Sequence, residues 1–454
     1  MDNKKEKDIQ RRVDKALEAV DTTKSVIIRS GATDEVTSCL NMFFGGKPVL
    51  LIADTNTYPA AGELVMKHLG EFQYKALDPF IFNSKGLYAE ISFVEKLEKY
   101  LSGKDVVPIA VGSGTINDLT KLAAERCGLP YMSFATAGSM DGYTAFGASI
   151  SYKGAKQTFD CKAPLAVIAD VNIISKAPPE MNAAGYADLI AKVPSGADWI
   201  VADALGIEPI DKLAWDLTQT HLHEMVNNPV GVKNGDRNTM LDLMEGLIMT
   251  GLGMQVNKTS RPASGAEHQF SHLWDNQHHK FNGEAPFHGF KVGIGTIASE
   301  ALYERILQLG VDHVDTNVEQ IQKWWPQFNQ IEKEIWKHFP EEELVSQTIE
   351  HCKVKYITAE ILSKRLNLLK SVWNKLEEKL RAQLLGAQKI QLMIADAGAP
   401  YLPEQIGIER PRLKKSYKLA QLIRQRYTVL DLVLETGHWQ KCVGQLFKGN
   451  GFWN

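Results

Sequence analysis

The sequence lacks a long apolar run, a paired-cysteine pattern and an excess of charge of either sign. No apolar stretch approaches the roughly 18 residues of a membrane-spanning helix, and the first 20 residues are highly charged where a secretory signal would be apolar. The five cysteines stand singly, which argues against a disulfide framework or a thiolate metal cage. A net charge of -3 gives no sign of a nucleic-acid partner. We therefore expect a soluble globular protein of the cytoplasm, with neither a membrane nor a nucleic acid as partner.

The chain changes character near Pro178. Before it, apolar β-branched runs alternate with helix-like stretches, as is typical of a parallel sheet with helices on its faces. After it, helical periodicity dominates, and 454 residues are enough for two domains. We predict an α/β fold with a Rossmann-like parallel-sheet domain over residues 1–178, an all-helical domain over residues 179–454 and an active site in the cleft between them. The predicted strands cover residues 25–30, 48–54, 106–112, 130–136 and 164–170.

A glycine turn follows one of the predicted strands. Gly112-Ser-Gly114 leads into a helix predicted to begin near Ile116, and free N–H groups at a helix start favour a phosphate. The full G-x-G-x-x-G pattern is absent, so a nucleotide site and a plain tight turn both remain open. Asp54, at the end of another predicted strand, either accepts from a ribose 2′-hydroxyl, which favours NAD over NADP, or caps the following turn.

A run of small and hydroxyl residues covers 134–149, after the fourth predicted strand. Loops of this kind often line pockets at the ligand edge of a sheet, where Asp141 could reach a substrate hydroxyl. The alternative is a β-turn built on the Asp141-Gly142 pair.

Histidines cluster in the second half of the chain, where five of the twelve fall within 21 residues. Ser264 to Glu267 has the pattern of a capping box, with a helix from residue 265 and Glu267 as the cap residue that holds His268 in place. His268 and His272 then lie on one face, a turn apart. Pro286 suits the first position of another helix, with a histidine in its first turn. The five are His268, His272, His278, His279 and His288.

Imidazoles from successive helices can bind a divalent metal when an anionic ligand joins them. Asp188, near the start of the helical part, is the carboxylate candidate. Lys192, four residues on, could offset its charge or meet a phosphate. The alternative is that these histidines are ordinary helix residues that are solvated or hydrogen-bonded. His278 and His279 fit an exposed helix end.

Five segments match, in order, the motifs of one family: GSGTINDLTK, ATAGSMDGYTAFGASI, APPEMNAAGYADLIAK, SRPASGAEHQFSH and FHGFKVGIG. They resemble the sn-glycerol-1-phosphate dehydrogenases, particularly the bacterial branch. That group belongs to the superfamily of glycerol dehydrogenases, iron-containing alcohol dehydrogenases and dehydroquinate synthases. The resemblance covers roughly residues 25–310 and is most specific in SRPASGAEHQFSH, whereas residues 311–454 carry little of it.

The resemblance implies a role for each motif residue. Asp188, His268 and His288 would hold a metal, His272 would contact substrate or transfer a proton, and Asp141 and Asp188 would contact substrate. Gly138 stands where an alanine is frequent in the family, and Ala145 where archaeal relatives carry a serine near the cofactor. The implied dinucleotide contacts are Gly114, Thr115, Ile116, Asn117, Asp118, Thr136, Ala137, Gly138 and Ser139.

The resemblance also implies a reaction: metal-dependent, NAD(P)H-linked and reversible reduction of dihydroxyacetone phosphate to sn-glycerol 1-phosphate. Bacterial members suggest nickel, archaeal members zinc, and dimers are usual among relatives. The substrate phosphate needs cations, for which Arg261 and Lys192 are the candidates. Three alternatives stay open: a glycerol dehydrogenase acting on unphosphorylated substrates, a lyase or cyclase similar to dehydroquinate synthase, and a scaffold without activity.

Overall fold

The structure is a computed structural model, and it describes residues 2–152 and 155–454 of the chain. Eight strands are present among these residues. In chain order they are β1 (Ser25–Arg29), β2 (Val49–Asp54), β3 (Phe80–Phe82), β4 (Val107–Gly112), β5 (Met132–Ala135), β6 (Ala148–Tyr152), β7 (Ala155–Phe159) and β8 (Ala166–Asp170).

Six of the strands form a parallel sheet in the order β1-β8-β5-β4-β2-β3, while β6 pairs antiparallel with β7. The five predicted strands are confirmed as members of this sheet. The sequence pattern did not indicate β3, which has three residues at the sheet edge, or the β6–β7 pair. Both are too short or too polar to stand out as apolar runs.

The sheet is buried on both faces, as parallel sheets usually are. Along β2, Val49 and Leu51 contribute to one apolar cluster, whereas Leu50 and Ile52 contribute to another. Because side chains alternate across a strand, consecutive apolar residues supply both clusters. This explains why the central strands have continuous rather than alternating apolar sequences.

The sheet has a topological switch beside β2. The chain passes from β2 to its neighbour β3 on one side, and the next strand, β4, lies on the other side of β2. In open α/β sheets the crevice outside the carboxyl ends of strands at such a point is the usual ligand site. The residues that follow β2, β4 and β5 are therefore placed where a dinucleotide binds in such folds.

The described residues are mostly helical, and no helix among them has the length and apolar character needed to cross a membrane. The helices are α1 (Asp2–Leu17), α2 (Val36–Phe44), α3 (Glu63–Glu71), α4 (Ile91–Leu101), α5 (Gly114–Arg126), α6 (Val171–Ile174), α7 (Pro179–Ile190), α8 (Lys192–Ala204), α9 (Lys212–Gln219), α10 (Leu222–Met225), α11 (Pro229–Lys233), α12 (Arg237–Asn257), α13 (Ala266–Asn276), α14 (His288–Leu309), α15 (Val318–Ile321), α16 (Phe328–His338), α17 (Glu342–Lys355), α18 (Ala359–Gln383), α19 (Ala387–Asp396), α20 (Arg410–Leu422), α21 (Val429–Glu435) and α22 (Trp439–Leu446).

The contacts divide the chain into two compact units. One runs to Leu189 and also contains Lys212–Ala263 and Asp396–Ala399; the other contains Ile190–Asp211, Ser264–Ala395 and Pro400–Asn454. The sequence pattern predicted a single boundary at residue 178, whereas these contacts divide the chain at several points. The assignment of a nucleotide role to one part and a substrate role to the other stays a prediction.

Helix α12 shows why the first unit also contains residues that follow Leu189 in the sequence. It packs against α1, α9 and β1. Arg12 of α1 makes a two-pronged ion pair with Glu245 of α12, with nitrogen–oxygen distances of 2.5 and 2.7 Å. Contacts of this kind join segments more than 200 positions apart, so local sequence periodicity does not indicate them.

In the second unit a buried carboxylate on α8 fixes the start of two other helices. Asp198 accepts hydrogen bonds from the first N–H group of α13, at Ala266, and from that of α21, at Val429, both at 2.7 Å. It also accepts from the hydroxyl of Tyr303 on α14 at 2.5 Å. Because helix-start N–H groups have no partner within their own helix, one carboxylate satisfies two helix termini at once.

We expect the change Asp198→Ala to destabilise the second unit by about 3 kcal/mol or more, because three buried donors lose their acceptor. Urea unfolding followed by tryptophan fluorescence measures the effect. The matched control is Asp216→Ala, which removes an exposed carboxylate paired with Lys212 at 2.7 Å and should cost less than about 1 kcal/mol. Equal effects of the two changes would contradict the structural role given to Asp198.

Candidate functional site

The glycine turn after β4 is packed more closely than the sequence pattern alone indicated. A Cβ atom on Gly112 would lie 2.5 Å from the Cβ of Ile116, and one on Gly114 would lie 3.0 Å from the Cγ of Met140. Helix α5 begins at Gly114, two residues earlier than predicted, with Ser113 as its N-cap. The N–H groups of Gly114, Thr115 and Ile116 therefore belong to the first turn, where they have no intrahelical acceptor and suit an anion.

Three neighbouring strand ends meet around this turn. The register pairs Ile52 of β2 with Ala110 of β4, so Asp54 lies beside Gly112 two residues further on. On the other side, Gly112 pairs with Ala135 of β5, and the N–H of Thr136 donates to the carbonyl of Gly112 at 3.1 Å. The predicted dinucleotide contacts on β2, on the glycine turn and after β5 thus share one edge of the sheet, next to the switch point.

Asp54 also caps the turn that follows its strand. Its Oδ1 accepts from the N–H groups of Asn56 and Thr57, at 2.8 and 2.9 Å. The capping role that the sequence left open is therefore present. A contact of the same carboxylate with a ribose hydroxyl stays a prediction.

The side chains of the next three predicted contacts already have protein partners. Ile116 belongs to an apolar cluster of the sheet, the amide oxygen of Asn117 accepts from the hydroxyl of Tyr131 at 3.2 Å, and Asp118 accepts from the N–H of Ser149 at 3.3 Å. Burial raises the pKa of Asp118. These residues can offer backbone groups to a dinucleotide without giving up the contacts of their side chains.

Buried polar groups hold residues 136–147 in place. The ammonium of Lys121, on α5, donates to the carbonyls of Gly142, Ala145 and Gly147 at 3.0, 2.9 and 3.1 Å. The hydroxyl of Tyr143 donates to the carbonyl of Ala137 at 2.6 Å. Burial lowers the pKa of Lys121 and raises the pKa of Tyr143. This segment, which carries the predicted contacts Thr136 to Ser139 and Asp141, is thus fixed by hydrogen bonds as well as by apolar packing at Ala145 and Phe146.

Helix α13 presents two of the predicted histidines, but its cap differs from the predicted box. The helix begins at Ala266 with Gly265 as N-cap, and no side chain of Ser264 caps it. Glu267 accepts from the N–H of Gly265 at 2.6 Å, and the same oxygen lies 2.8 Å from the Nδ1 of His268. A carboxylate can only accept, so it fixes the imidazole with Nδ1–H donated and Nε2 as the metal-binding nitrogen. Glu267 therefore acts on His268 directly.

The third histidine, His288, is the first residue of α14, with Phe287 as its N-cap, so Pro286 lies before the helix rather than at its first position. The Nδ1 of His288 lies 3.4 Å from the hydroxyl of Ser271 on α13. The ring centroids of His268 and His288 are 5.3 Å apart, and that of His272 lies 6.1 and 6.2 Å from them. Three imidazoles thus gather around the start of α14.

Asp188, His268 and His288 form a group that could hold a metal ion. One ligand atom of each lies within 4.8 Å of the others, and Asp188 and His268 are buried. Two imidazoles and one carboxylate suit a divalent transition metal, and three protein ligands leave a coordination position for a substrate. The donor set and the outer contacts of Glu267 and Ser271 therefore fit a metal. His272 is not one of this set.

Of the remaining predicted residues, Asp141 is partly buried and the two candidate cations are fully buried. Asp141 donates its N–H to Oδ2 of Asp188 at 3.1 Å. Lys192 begins α8 and Arg261 follows α12, and each is fully buried. The prediction of an exposed helix end was wrong for His279, which is buried. Its Nδ1 accepts from Arg412 at 2.8 Å and its Nε2 donates to the carbonyl of Ile406 at 2.6 Å, and burial lowers its pKa.

Comparison with known proteins identifies the family. The family model for iron-containing alcohol dehydrogenase matches residues 27–178. A protein of Geobacillus stearothermophilus named glycerol-1-phosphate dehydrogenase, NAD(P)+, is 30% identical over 391 residues, which are 85% of this chain and 86% of the relative. The chain belongs to the glycerol-1-phosphate dehydrogenase family. A relative of the same name from Bacillus velezensis is 29% identical over 94% of this chain and 96% of its own.

The fold comparison agrees with the family. A probable glycerol dehydrogenase from Sinorhizobium meliloti superposes with a TM-score of 0.57 at 14% identity, over 93% of this chain and 98% of the other. Identity this low supports the fold alone. The structure therefore has the two-domain dehydrogenase fold that the sequence motifs implied.

The sequence analysis missed three buried residues that hold this family's motifs in place: Lys121, Asn182 and Gly185. All lie inside motifs already noted. Lys121 ends GSGTINDLTK, while Asn182 and Gly185 precede Asp188 at spacings of six and three within APPEMNAAGYADLIAK. A spacing of three along a helix places residues on one side, and that signal could have identified the last two.

We expect Glu267→Gln to lower metal affinity by about 10-fold or more, because the charged acceptor behind the imidazole of His268 becomes a neutral amide. Competition of Zn²⁺ or Ni²⁺ between the protein and a chromophoric chelator measures the affinity. The control Glu284→Gln changes an exposed glutamate before α14 and should leave it unchanged. A variant at Glu267 that binds metal as tightly as the parent would refute the orienting role.

Proposed function

We propose that the protein is a metal-dependent, NAD(P)H-linked sn-glycerol-1-phosphate dehydrogenase that reversibly reduces dihydroxyacetone phosphate. The observation that carries the proposal is the group of Asp188, His268 and His288 in a chain of this family. Reduction adds a hydride from C4 of the nicotinamide to the carbonyl carbon of the substrate and a proton to its oxygen. A divalent metal, when bound, supplies a Lewis acid that polarises this carbonyl.

The residues of the chain prepare the substrates for this transfer. The first turn of α5 offers three N–H groups to the pyrophosphate of the dinucleotide, and Gly112 and Gly114 let the cofactor approach the backbone. Glu267 and Ser271 orient the imidazoles of His268 and His288. His272, adjacent to both rings, delivers the proton to the substrate oxygen through water.

Local chemistry supports one choice of dinucleotide, whereas the two candidate metals come from the family resemblance. We propose that Asp54, beside the glycine turn, meets the ribose of the dinucleotide, where its negative charge repels the 2′-phosphate of NADP and favours NADH. Zn²⁺ and Ni²⁺ both accept two imidazoles and a carboxylate, and we propose that one of them is the native ion. A homodimer in the cytoplasm remains our expectation.

The closest competing function is reduction of unphosphorylated dihydroxyacetone. We expect metal-dependent NADH oxidation with dihydroxyacetone phosphate, a kcat/KM about 100-fold or more lower with dihydroxyacetone, and loss of both on chelation. Loss of NADH absorbance measures these rates, and re-addition of metal is the control. Activity with dihydroxyacetone alone would establish a glycerol dehydrogenase, and no net oxidation of NADH would leave the lyase alternative.

The stereochemistry of the product provides a second discriminating readout in the same reaction. An sn-glycerol-3-phosphate dehydrogenase should fail to oxidise the product, while it consumes half of a racemic glycerol phosphate control. Full consumption of the product would contradict the assignment to sn-glycerol 1-phosphate.

For the phosphate of the substrate we propose the buried cations Arg261 and Lys192. Arg261→Gln should raise the KM for dihydroxyacetone phosphate by about 10-fold or more, because a charge-assisted hydrogen bond is lost. The KM for dihydroxyacetone should not change. Arg237→Gln, at an exposed position at the start of α12, is the control. A parallel rise for both substrates would assign Arg261 to packing instead of phosphate recognition.

A further inference from the structure

One side of helix α7 follows the segment that carries the predicted dinucleotide contacts. Asn182, Gly185 and Asp188 are spaced by three residues, which places them along one side of the helix. Each meets a residue of Gly138–Asp141. The motif that supplies the predicted metal carboxylate therefore also supplies two residues with no role so far.

Asn182 holds the beginning of this segment. Its amide is buried, its oxygen accepts from the N–H of Gly138 at 2.9 Å, and its nitrogen donates to the carbonyl of Ile174 at 2.9 Å. Ile174 is the last residue of α6. Since both ends of the amide are used, the side chain fixes Gly138 relative to the end of that helix.

Gly185 brings the helix backbone directly against the segment. A Cβ atom at this position would lie 1.7 Å from the carbonyl oxygen of Gly138, 2.6 Å from its carbonyl carbon and 3.1 Å from the Cα of Ser139. All three atoms belong to the main chain, so no side-chain rotation can relieve the clash. Any larger residue would push the segment away from α7.

Asp188 closes the series at the other end of the segment. Its Oδ2 accepts from the N–H of Asp141 at 3.1 Å. The position of the segment thus determines whether the N–H of Asp141 can donate to this oxygen. That hydrogen bond orients a carboxylate of the metal group. The same short stretch of backbone therefore supports two predicted functions. It holds the dinucleotide at Gly138 and Ser139, and it orients the metal ligand Asp188.

We propose that Asn182 and Gly185 are positioning residues that couple dinucleotide binding to metal binding through the hydrogen bond between Asp141 and Asp188. The proposal rests on the proposed function, since it takes Gly138–Ser139 as a dinucleotide contact and Asp188 as a metal ligand. A dinucleotide that holds the segment in place keeps Asp188 in its ligating orientation. By linkage, the metal must favour the dinucleotide by the same factor.

The experiment measures binding without substrate. The affinity of the full chain for NADH is determined by fluorescence in metal-free and Zn²⁺-loaded or Ni²⁺-loaded protein, and the metal affinity by chelator competition with and without NADH. We expect each ligand to tighten the other by the same factor, about 5-fold or more. In Asn182→Ala and Gly185→Ala both ligands should still bind alone, but this factor should fall towards one.

Two further sets of variants separate positioning from general damage. Asn182→Asp keeps an acceptor for the N–H of Gly138 but loses the donor to Ile174, so it should regain part of the coupling. Gly70→Ala, on α3 with nothing within 4 Å of the added atom, and Asn367→Ala, at an exposed position on α18, should keep full coupling. Thermal unfolding of every variant checks that it is folded.

The possible results distinguish this inference from the proposed function. A parent protein that binds NADH and metal independently overturns the coupling, and so do Asn182 and Gly185 variants that keep it in full. A parent that binds neither ligand overturns the proposed function and the inference together. Failure to reduce dihydroxyacetone phosphate, with coupling intact, overturns the proposed substrate alone.

Discussion

The predicted dinucleotide site depends on the hydrogen bonds that the buried ammonium of Lys121 donates. Residues 136–147 have no apolar periodicity and form no helix or strand before β6 begins. Lys121 satisfies three of their carbonyls at once, and Asp118 lies 3.9 Å from the ammonium. Removing such a charge from water is costly, and burial lowers the pKa of this lysine. The cost is offset because otherwise several buried carbonyls would lack donors. The helix whose first turn faces the predicted phosphate also anchors the neighbouring segment.

A buried carboxylate has the corresponding task in the second unit. Asp198 receives N–H groups from the starts of α13 and α21. Helix starts need acceptors, and in both helices the first N–H group finds its acceptor on a third helix, in α21 in addition to the local capping box of Thr428 and Asp431. Gly265, the N-cap of α13, has no room for a side chain, because a Cβ would lie 2.4 Å from Oδ2 of Asp198. The helix of His268 and His272 is therefore placed by a residue far away in sequence.

Sequence analysis predicted those features of the fold that local patterns determine. Apolar runs identified five strands of the sheet, and the histidine spacing placed His268 and His272 on one helix. The place of α12 in the first unit and the burial of His279 depend on contacts between distant segments. The strands β6 and β7 pair locally, but they are too polar to stand out as apolar runs. Glu267 illustrates the limit within a single motif. Its position suggested a cap residue that holds His268 in place, whereas in the structure it contacts the imidazole of His268 directly, and the first N–H group of the helix is bonded to Asp198 instead.

The three candidate metal ligands share one arrangement that only the fold reveals. Each has one polar atom hydrogen-bonded to a neighbour: Nδ1 of His268 to Glu267, Nδ1 of His288 to Ser271, and Oδ2 of Asp188 to the N–H of Asp141. Such outer contacts fix the rotamer and the tautomer before a metal binds, so less conformational entropy is lost on binding. The partners differ in kind, since they are a carboxylate, a hydroxyl and a backbone amide. Only the amide belongs to the segment with the predicted dinucleotide contacts Gly138 and Ser139, so of the three contacts it is the one that we propose transmits the binding of a dinucleotide to the metal.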